Sequence, residues 1–205
     1  MINPTSLQQP SSEPALPTPF LFAPRRFSDA RGWFSETYNE PNLAKHGITC
    51  RFMQDNQSYS VRAGTIRGLH FQYPPFGQAK VVRVVRGRIL DVAVDIRTGS
   101  PTFGHFVSVE LSADNGQQLY VPIGFAHGFC TLDDHTEVLY KVSAPYSPAH
   151  EGGIRWNDSQ IAVDWPLPPT GAIVSEKDAV LPALKQMHSP FRYEGGELQP
   201  LALAA

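Results

Sequence analysis

Hydrophobic positions in this chain come in short alternating bursts, separated by Pro and Gly at brief intervals. "KVVRVVRGRILDVAVDIR", Lys80 to Arg97, is the clearest case. Two Val/Ile-rich runs flank Arg86-Gly87-Arg88, a pattern that predicts two strands joined as a hairpin. "HFVSVEL", "QQLYVP", "GFCTL" and "EVLYKV" read as further strands. No long segment repeats at 3.6 residues. "EPNLAKHG" predicts one short helix ended by Gly47, and "EKDAVLPAL" another turn or two. Many short antiparallel strands with little helix predict an all-β fold, a β-sandwich or barrel of jelly-roll type with a few short helices. No internal repeat of propeller or solenoid kind is present.

Side chains alternate along a strand. In "ILDVAVDIR", Leu90, Val92, Val94 and Ile96 therefore share one face, and Asp91, Ala93, Asp95 and Arg97 the other. Asp95 and Arg97, near the strand end, read as solvated. Asp91 fits either a solvated face or the inner face of a barrel.

Composition narrows the class. The 205 residues suit one domain with tails, and 41% hydrophobic content suffices for its core. Residues 1–19, rich in Pro, Ser and Gln, read as a disordered leader, residues 20–187 as the folded domain, and residues 188–205 as a loose tail. A net charge of −2 gives no reason to expect a nucleic-acid partner. No apolar run approaches the roughly 18 residues that span a bilayer, and the N-terminus lacks the basic start and apolar stretch of a secretory signal. A cytoplasmic protein with Cys50 and Cys130 as reduced thiols is the expectation.

Candidate chemistry sits inside the strands. "TIRGLHFQ" places Arg67 and His70 where a core strand would place Val or Ile. A regular strand would point them to opposite faces, as a surface Arg and a core His. Gly68 between them suggests a bulge, which would bring both to one cavity. "FSDARGWFSETY" holds Arg31 and Glu36, with Asp29 to Gly32 reading as a hairpin turn. "FMQDNQSYS" holds Gln54 and Asn56, "PIGFAHGF" holds His127 and "EVLYKV" holds Tyr140. Each alone reads as a satisfied core or turn residue; together, in one small β domain, they suggest a polar cavity. After His70 the chain reads Phe71-Gln72, so the second His of an H-x-H metal pair is absent and no metal is expected.

"FSDARGWFSETYN", "FMQDNQSYS", "GTIRGLHFQ", "VVRGRILDVAVDIRTGSPTFGHFVSVELSADNGQQLYVPIGFAHGF", "EVLYKVSAPYSPAHEGGIRWND" and "VSEKDA" follow one another in order. From about Phe20 to Leu184 the chain resembles the dTDP-4-dehydrorhamnose 3,5-epimerase family, cupin-like jelly rolls acting on dTDP-sugars. The resemblance implies epimerisation of dTDP-4-dehydro-6-deoxy-D-glucose at C3 and C5, to dTDP-4-dehydro-L-rhamnose, without cofactor or metal. A ketone at C4 acidifies the protons on both carbons. The reaction needs a base, a proton source on the other face and a cation at the ketone oxygen. By position in the matching motifs, the resemblance implies His70 as base, Asp178 as its partner, Tyr140 as acid and Lys80 as the cation. Arg67, His127 and Lys177 would line the sugar and diphosphate region, Gln54 and Asn56 the deoxyribose and phosphates. Glu36 would meet the thymine edge, Arg31 a phosphate, and Glu151 the nucleotide side. It implies a homodimer with exchanged N-terminal strands, so Arg31 and Glu36 would reach across the interface. Related single epimerases at C3 or C5, 3,4-ketoisomerases and a non-catalytic sugar-nucleotide-binding jelly roll share this pattern. Retention of both His70 and Tyr140 argues against the last.

Overall fold

The computed structural model describes residues 18–195, 198, 201, 203 and 204. Most of the expected leader thus lies outside the described residues. The strands are β1 (Phe20–Phe22), β2 (Arg26–Asp29), β3 (Gly32–Ser35), β4 (Gln54–Ser60), β5 (Ile66–Gln72), β6 (Lys80–Arg86), β7 (Arg88–Asp95), β8 (Phe106–Ser112), β9 (Gln118–Val121), β10 (Phe125–Thr131), β11 (Thr136–Val142), β12 (Glu151–Gly153) and β13 (Leu203–Ala204). Two short helices, α1 (Glu40–Ala44) and α2 (Glu176–Ala179), complete the regular structure. No helix of the described residues is long and apolar enough to cross a membrane.

A six-stranded sheet in the order β13-β1-β9-β6-β11-β4 faces a five-stranded sheet in the order β12-β5-β10-β7-β8. Apart from the parallel β1–β13 contact, neighbours are antiparallel. Val82, Val84, Leu119 and Val138 of the first sheet meet Ile89, Ala93, Leu111 and Phe129 of the second in one buried cluster. This is the all-β sandwich that the alternating runs predict. The separate β2–β3 hairpin turns through Ala30 and Arg31, where the sequence places it.

Two expectations fail, each for a physical reason. Arg86-Gly87-Arg88 is not a hairpin, because β6 and β7 lie in different sheets. Gly87, at φ 75°, is a corner where the chain crosses between them, and any Cβ there would sit 2.5 Å from the Thr136 hydroxyl. Asp95 and Arg97 are buried, not solvated. Alternation implied one wet face, but the outer face of β7 is also covered: Val92, Val94 and Ile96 pack with Ile154, Ile161 and Trp165. Asp95 accepts from the Arg97 guanidinium at 2.6 and 2.9 Å, from Ser100 at 2.7 Å and from Thr102 at 2.8 Å, so the buried charge is fully bonded. Within the segment read as a tail, Phe191 and Tyr193 are tied to Thr98. Thr98 N–H donates to the Phe191 carbonyl and Tyr193 N–H to the Thr98 carbonyl, each at 3.0 Å. The Tyr193 ring lies against the Arg97 guanidinium, and Phe191 meets Phe71 edge-on.

On the far side, α1 covers the outer face of the six-stranded sheet. Asn39 caps it by accepting from Asn42 N–H, and its Leu43 packs with Val81 and Tyr120. Cys50 and Cys130 are not bonded to each other.

Candidate active site

The site is built around an irregularity in β5. His70 pairs with His127 across β10, but Arg67 pairs with Phe129, so β5 carries one extra residue between them. The strands also approach too closely for side chains. A Cβ on Gly68, at φ 131°, would lie 2.5 Å from the Gly128 Cα, and one on Gly128 would lie 2.7 Å from the Arg67 carbonyl. Two glycines thus permit the bulge, and the bulge turns Arg67 and His70 towards one cavity.

That cavity measures about 500 Å³ and opens between the sheets. Arg67, His70, His127 and Glu151 reach it from the five-stranded sheet, Lys80 and Tyr140 from the six-stranded sheet, and Lys177 and Asp178 from α2. An adjoining lobe of about 290 Å³ shares His70, Lys80, Tyr140 and Glu151 and adds Gln54 and Asn56. Of the residues expected from the resemblance, Arg31 and Glu36 alone stand apart. Arg31 is paired with Asp29 at the exposed hairpin, and Glu36 accepts from Asn42 Nδ2 at 3.2 Å.

His70 Nε2 lies 2.7 Å from Asp178 Oδ1. Ser175 caps α2 by accepting from the Asp178 N–H at 3.1 Å, and the Gly68 N–H points at Asp178 Oδ2 at 3.3 Å. Burial pushes the Asp178 carboxyl up, but its bond to His70, the His70 charge, the Gly68 N–H and Lys177 outweigh that and hold it below the usual range. An ionised carboxylate only accepts. The proton must therefore sit on Nε2 of neutral His70, leaving Nδ1 with a lone pair, the tautomer required of a base.

His127 repeats this arrangement, with Nε2 2.7 Å from Asp91 Oδ1. Burial pushes its imidazole down, towards the neutral form, against the opposing pull of Asp91. Asp91, left open between two faces by the sequence, is wholly buried, and among the described residues its Oδ2 has no partner. Its pairing with His127 depends on β7 lying beside β10, which strand alternation alone does not reveal.

Lys80 is 7% exposed. Burial lowers its ammonium from 10.5 to about 8, against the attraction of Asp91 and Glu151. Among the described residues its Nζ donates only a long 3.4 Å bond, to the His70 carbonyl. Such an ammonium, short of partners, is suited to an oxygen that gains negative charge. Tyr140 is partly buried, which raises its phenol against the influence of Arg67, so it stays protonated at neutral pH. Among the described residues none bonds its hydroxyl.

The rim is tied by shorter-range contacts. Arg67 Nη2 donates to the Tyr59 carbonyl at 3.1 Å. Glu151 forms an ion pair with Lys177 and accepts from the Tyr146 hydroxyl at 3.2 Å. Partial burial works against the Lys177 charge, but Glu151 more than compensates and raises it. Gln54 donates to Asn56 at 2.8 Å and accepts from the Tyr146 N–H at 2.9 Å. The sequence did not single out Gln72. It is buried, and its amide ties the Phe76 and Pro145 carbonyls and the Ser147 N–H, so it fastens two rim loops together. Among the described residues no cluster of His, Cys, Asp or Glu has the makings of a metal site.

A family model described as dTDP-4-dehydrorhamnose 3,5-epimerase matches residues 13–186. The chain belongs to that family. A dTDP-4-dehydrorhamnose 3,5-epimerase from Sinorhizobium fredii is 50% identical over 173 residues, 84% of this chain and 88% of its own. The crystal structure of the Bacillus anthracis enzyme with TDP and pyrophosphate bound is 53% identical, with a TM-score of 0.76 over 78% of this chain and 91% of that one. The Legionella pneumophila epimerase in complex with dTDP-4-keto-L-rhamnose is 42% identical, with a TM-score of 0.80 over 84% and 92%. Membership in the dTDP-4-dehydrorhamnose 3,5-epimerase family places the chain among isomerases and agrees with the jelly-roll sandwich described above.

Proposed function

We propose that the protein inverts C3 and C5 of dTDP-4-dehydro-6-deoxy-D-glucose, giving dTDP-4-dehydro-L-rhamnose for dTDP-L-rhamnose synthesis. One observation carries the mechanism: a carboxylate-backed imidazole on one sheet faces a protonated phenol and a partner-poor ammonium on the other, across one cavity. His70 Nδ1 removes the proton from C3 or C5. The electron pair left behind moves onto the C4 oxygen as an enolate, which the Lys80 ammonium stabilises. Tyr140 then delivers a proton to the opposite face of the same carbon. Asp178 steadies the imidazolium formed in the first step. Arg67, His127 and Lys177 line the sugar and diphosphate region, Gln54 and Asn56 the deoxyribose and phosphates, and Glu151 the nucleotide side. Arg suits the phosphates through its rigid donor fork.

Incubation with the keto-sugar nucleotide in D₂O tests the reading. Deuterium at both C3 and C5 of the product is expected. Deuterium at one carbon selects a single epimerase, and none at either removes the epimerase reading.

The same reading makes the protein a homodimer with exchanged N-terminal strands, in which Arg31 and Glu36 complete the cavity of the other subunit. Its support is the β2–β3 hairpin, where Phe27, Trp33 and Phe34 are 52%, 57% and 70% exposed, an apolar surface of the kind that partners cover. Sedimentation of the protein at assay concentration tests this, and a monomer would remove it.

A further inference from the structure

Gln72 carries an inference beyond these roles. It ends β5 on the same face as His70, lines the adjoining lobe and is 3% exposed. Both hydrogens of its amide go to the rim: Nε2 donates to the Phe76 carbonyl at 2.7 Å and to the Pro145 carbonyl at 3.1 Å. Oε1 accepts from the Ser147 N–H at 2.7 Å. The Pro145 carbonyl belongs to the peptide before Tyr146, and the Ser147 N–H to the peptide after it. One buried side chain therefore grips both peptide groups that flank Tyr146.

Tyr146 is where the grip is used. Surface loops are ordinarily the mobile part of a fold. Tyr146, although exposed, is held at both flanks and links two other groups of the lobe. Its N–H donates to Gln54 at 2.9 Å and its hydroxyl to Glu151 at 3.2 Å. Gln54 lies on β4 of the six-stranded sheet and Glu151 on β12 of the five-stranded one. Tyr146 thus bridges the two sheets at the lobe, and Gln72 fixes the bridge.

Resting on the function proposed above, we propose that Gln72 is a positioning residue for the nucleotide: by fixing Tyr146 it keeps Gln54 and Glu151 set before the substrate arrives, and so governs affinity at the nucleotide end without entering the proton transfers. A site that is set for only a fraction of the time binds more weakly in proportion to that fraction. His70 does not depend on this bridge, because β10 and β12 hold its strand on either side and Asp178 holds its ring.

The test compares wild type with Gln72→Met, whose unbranched side chain fills a similar space without the amide. Calorimetry with dTDP reads nucleotide binding, and turnover of the keto-sugar nucleotide gives kcat and KM separately. Gln72→Met is expected to weaken dTDP binding and raise KM about tenfold, the scale of one ordinary hydrogen bond, with kcat within about twofold of wild type. In a Tyr146→Ala background the same change should add less than about twofold, because the residue through which it acts is gone. Gln72→Glu keeps the acceptor for Ser147 but loses both donated bonds, and should also weaken dTDP, so the proposal does not hang on one variant folding. Unchanged dTDP affinity in a folded variant overturns the proposal, even where the melting temperature falls, since Gln72 would then be a structural brace. So does a full tenfold effect in the Tyr146→Ala background, which would mean a route that bypasses Tyr146. A fall in kcat at unchanged KM overturns it too, by placing Gln72 in the chemistry. A wild type that binds dTDP but leaves C3 and C5 unexchanged removes the epimerase reading alone, and the dTDP measurements still decide the role of Gln72.

Discussion

Replacing Lys80 with methionine should make the protein more stable and inactive. The ammonium is held at about 8 in the fold against 10.5 when free. At 1.36 kcal/mol for each pH unit between those values, the fold bears about 3 kcal/mol to keep the charge buried. The sign follows from proton counts. Between pH 8 and 10.5 the unfolded chain binds more protons at this position than the native protein, so the contribution of Lys80 to stability rises with pH across that window. Below pH 8 its cost is full; above 10.5 it has gone. Methionine, unbranched and of similar length, bears no such cost. At pH 6.5–7 the Lys80→Met protein should therefore melt about 6–12 °C higher, taking 2–4 °C per kcal/mol for a chain of this size. The gap should close as the pH approaches 10.5. Product formation should fall by about 10²–10³-fold, the usual effect of removing one group that stabilises an oxyanion. The wild-type rate should itself decline above pH 8 as Lys80 loses its proton. Thermal melts of both proteins across the pH range, with the D₂O assay at pH 7, decide the matter. A methionine variant less stable at neutral pH, or a gap that does not change with pH, would refute the claim that Lys80 is a buried, strained cation.

His70→Ala should abolish deuterium exchange at both C3 and C5 in D₂O, since one base serves both carbons; normal exchange at either carbon would overturn that assignment. Tyr140→Phe should still wash deuterium into recovered substrate while inverted product falls about 10²-fold or more; near-normal inversion by the folded variant would remove Tyr140 from the mechanism. Asp95→Ala should cost about 3–5 kcal/mol in urea denaturation, because it removes the carboxylate to which the buried Arg97 guanidinium donates twice, and on which Ser100 and Thr102 converge. Burial raises the Asp95 carboxyl but the Arg97, Ser100 and Thr102 bonds lower it further, below 3.8, so its stabilising share should be full above that pH and lost as pH falls through the lower folded value.

The strands and the bulge were legible because their signals are local. Alternation marks a strand wherever it occurs, and Gly68 inside "TIRGLHFQ" marks the place where alternation must break. The sheet partner of a strand is not local. Lys80–Arg97 reads as a hairpin because nothing within it records that Thr136 presses on Gly87 and that β6 and β7 part into different sheets. The burial of Asp95 and Arg97 was hidden for the same reason, since the Phe125 and Tyr193 rings that lie against the Arg97 guanidinium come from distant parts of the chain. Among the residues at the site, His70, Tyr140 and Lys80 were named through the resemblance, and the fold brings them to one cavity. Asp91 and Gln72 matter because of what stands next to them, and a single strand of text does not print neighbours.

The hold on the C-terminal segment bears on where this chain can be trimmed. The family match stops at residue 186, which invites a shortened version ending there. Such a cut would take away Phe191 and Tyr193. The Thr98 N–H and carbonyl would lose both their strand-like partners, Phe71 would lose an aromatic neighbour, and one face of the Arg97 guanidinium would open to water. Arg97 in turn fixes Asp95, at the end of the strand that carries Asp91 behind His127. A purification tag placed directly after residue 187 would meet the same difficulty.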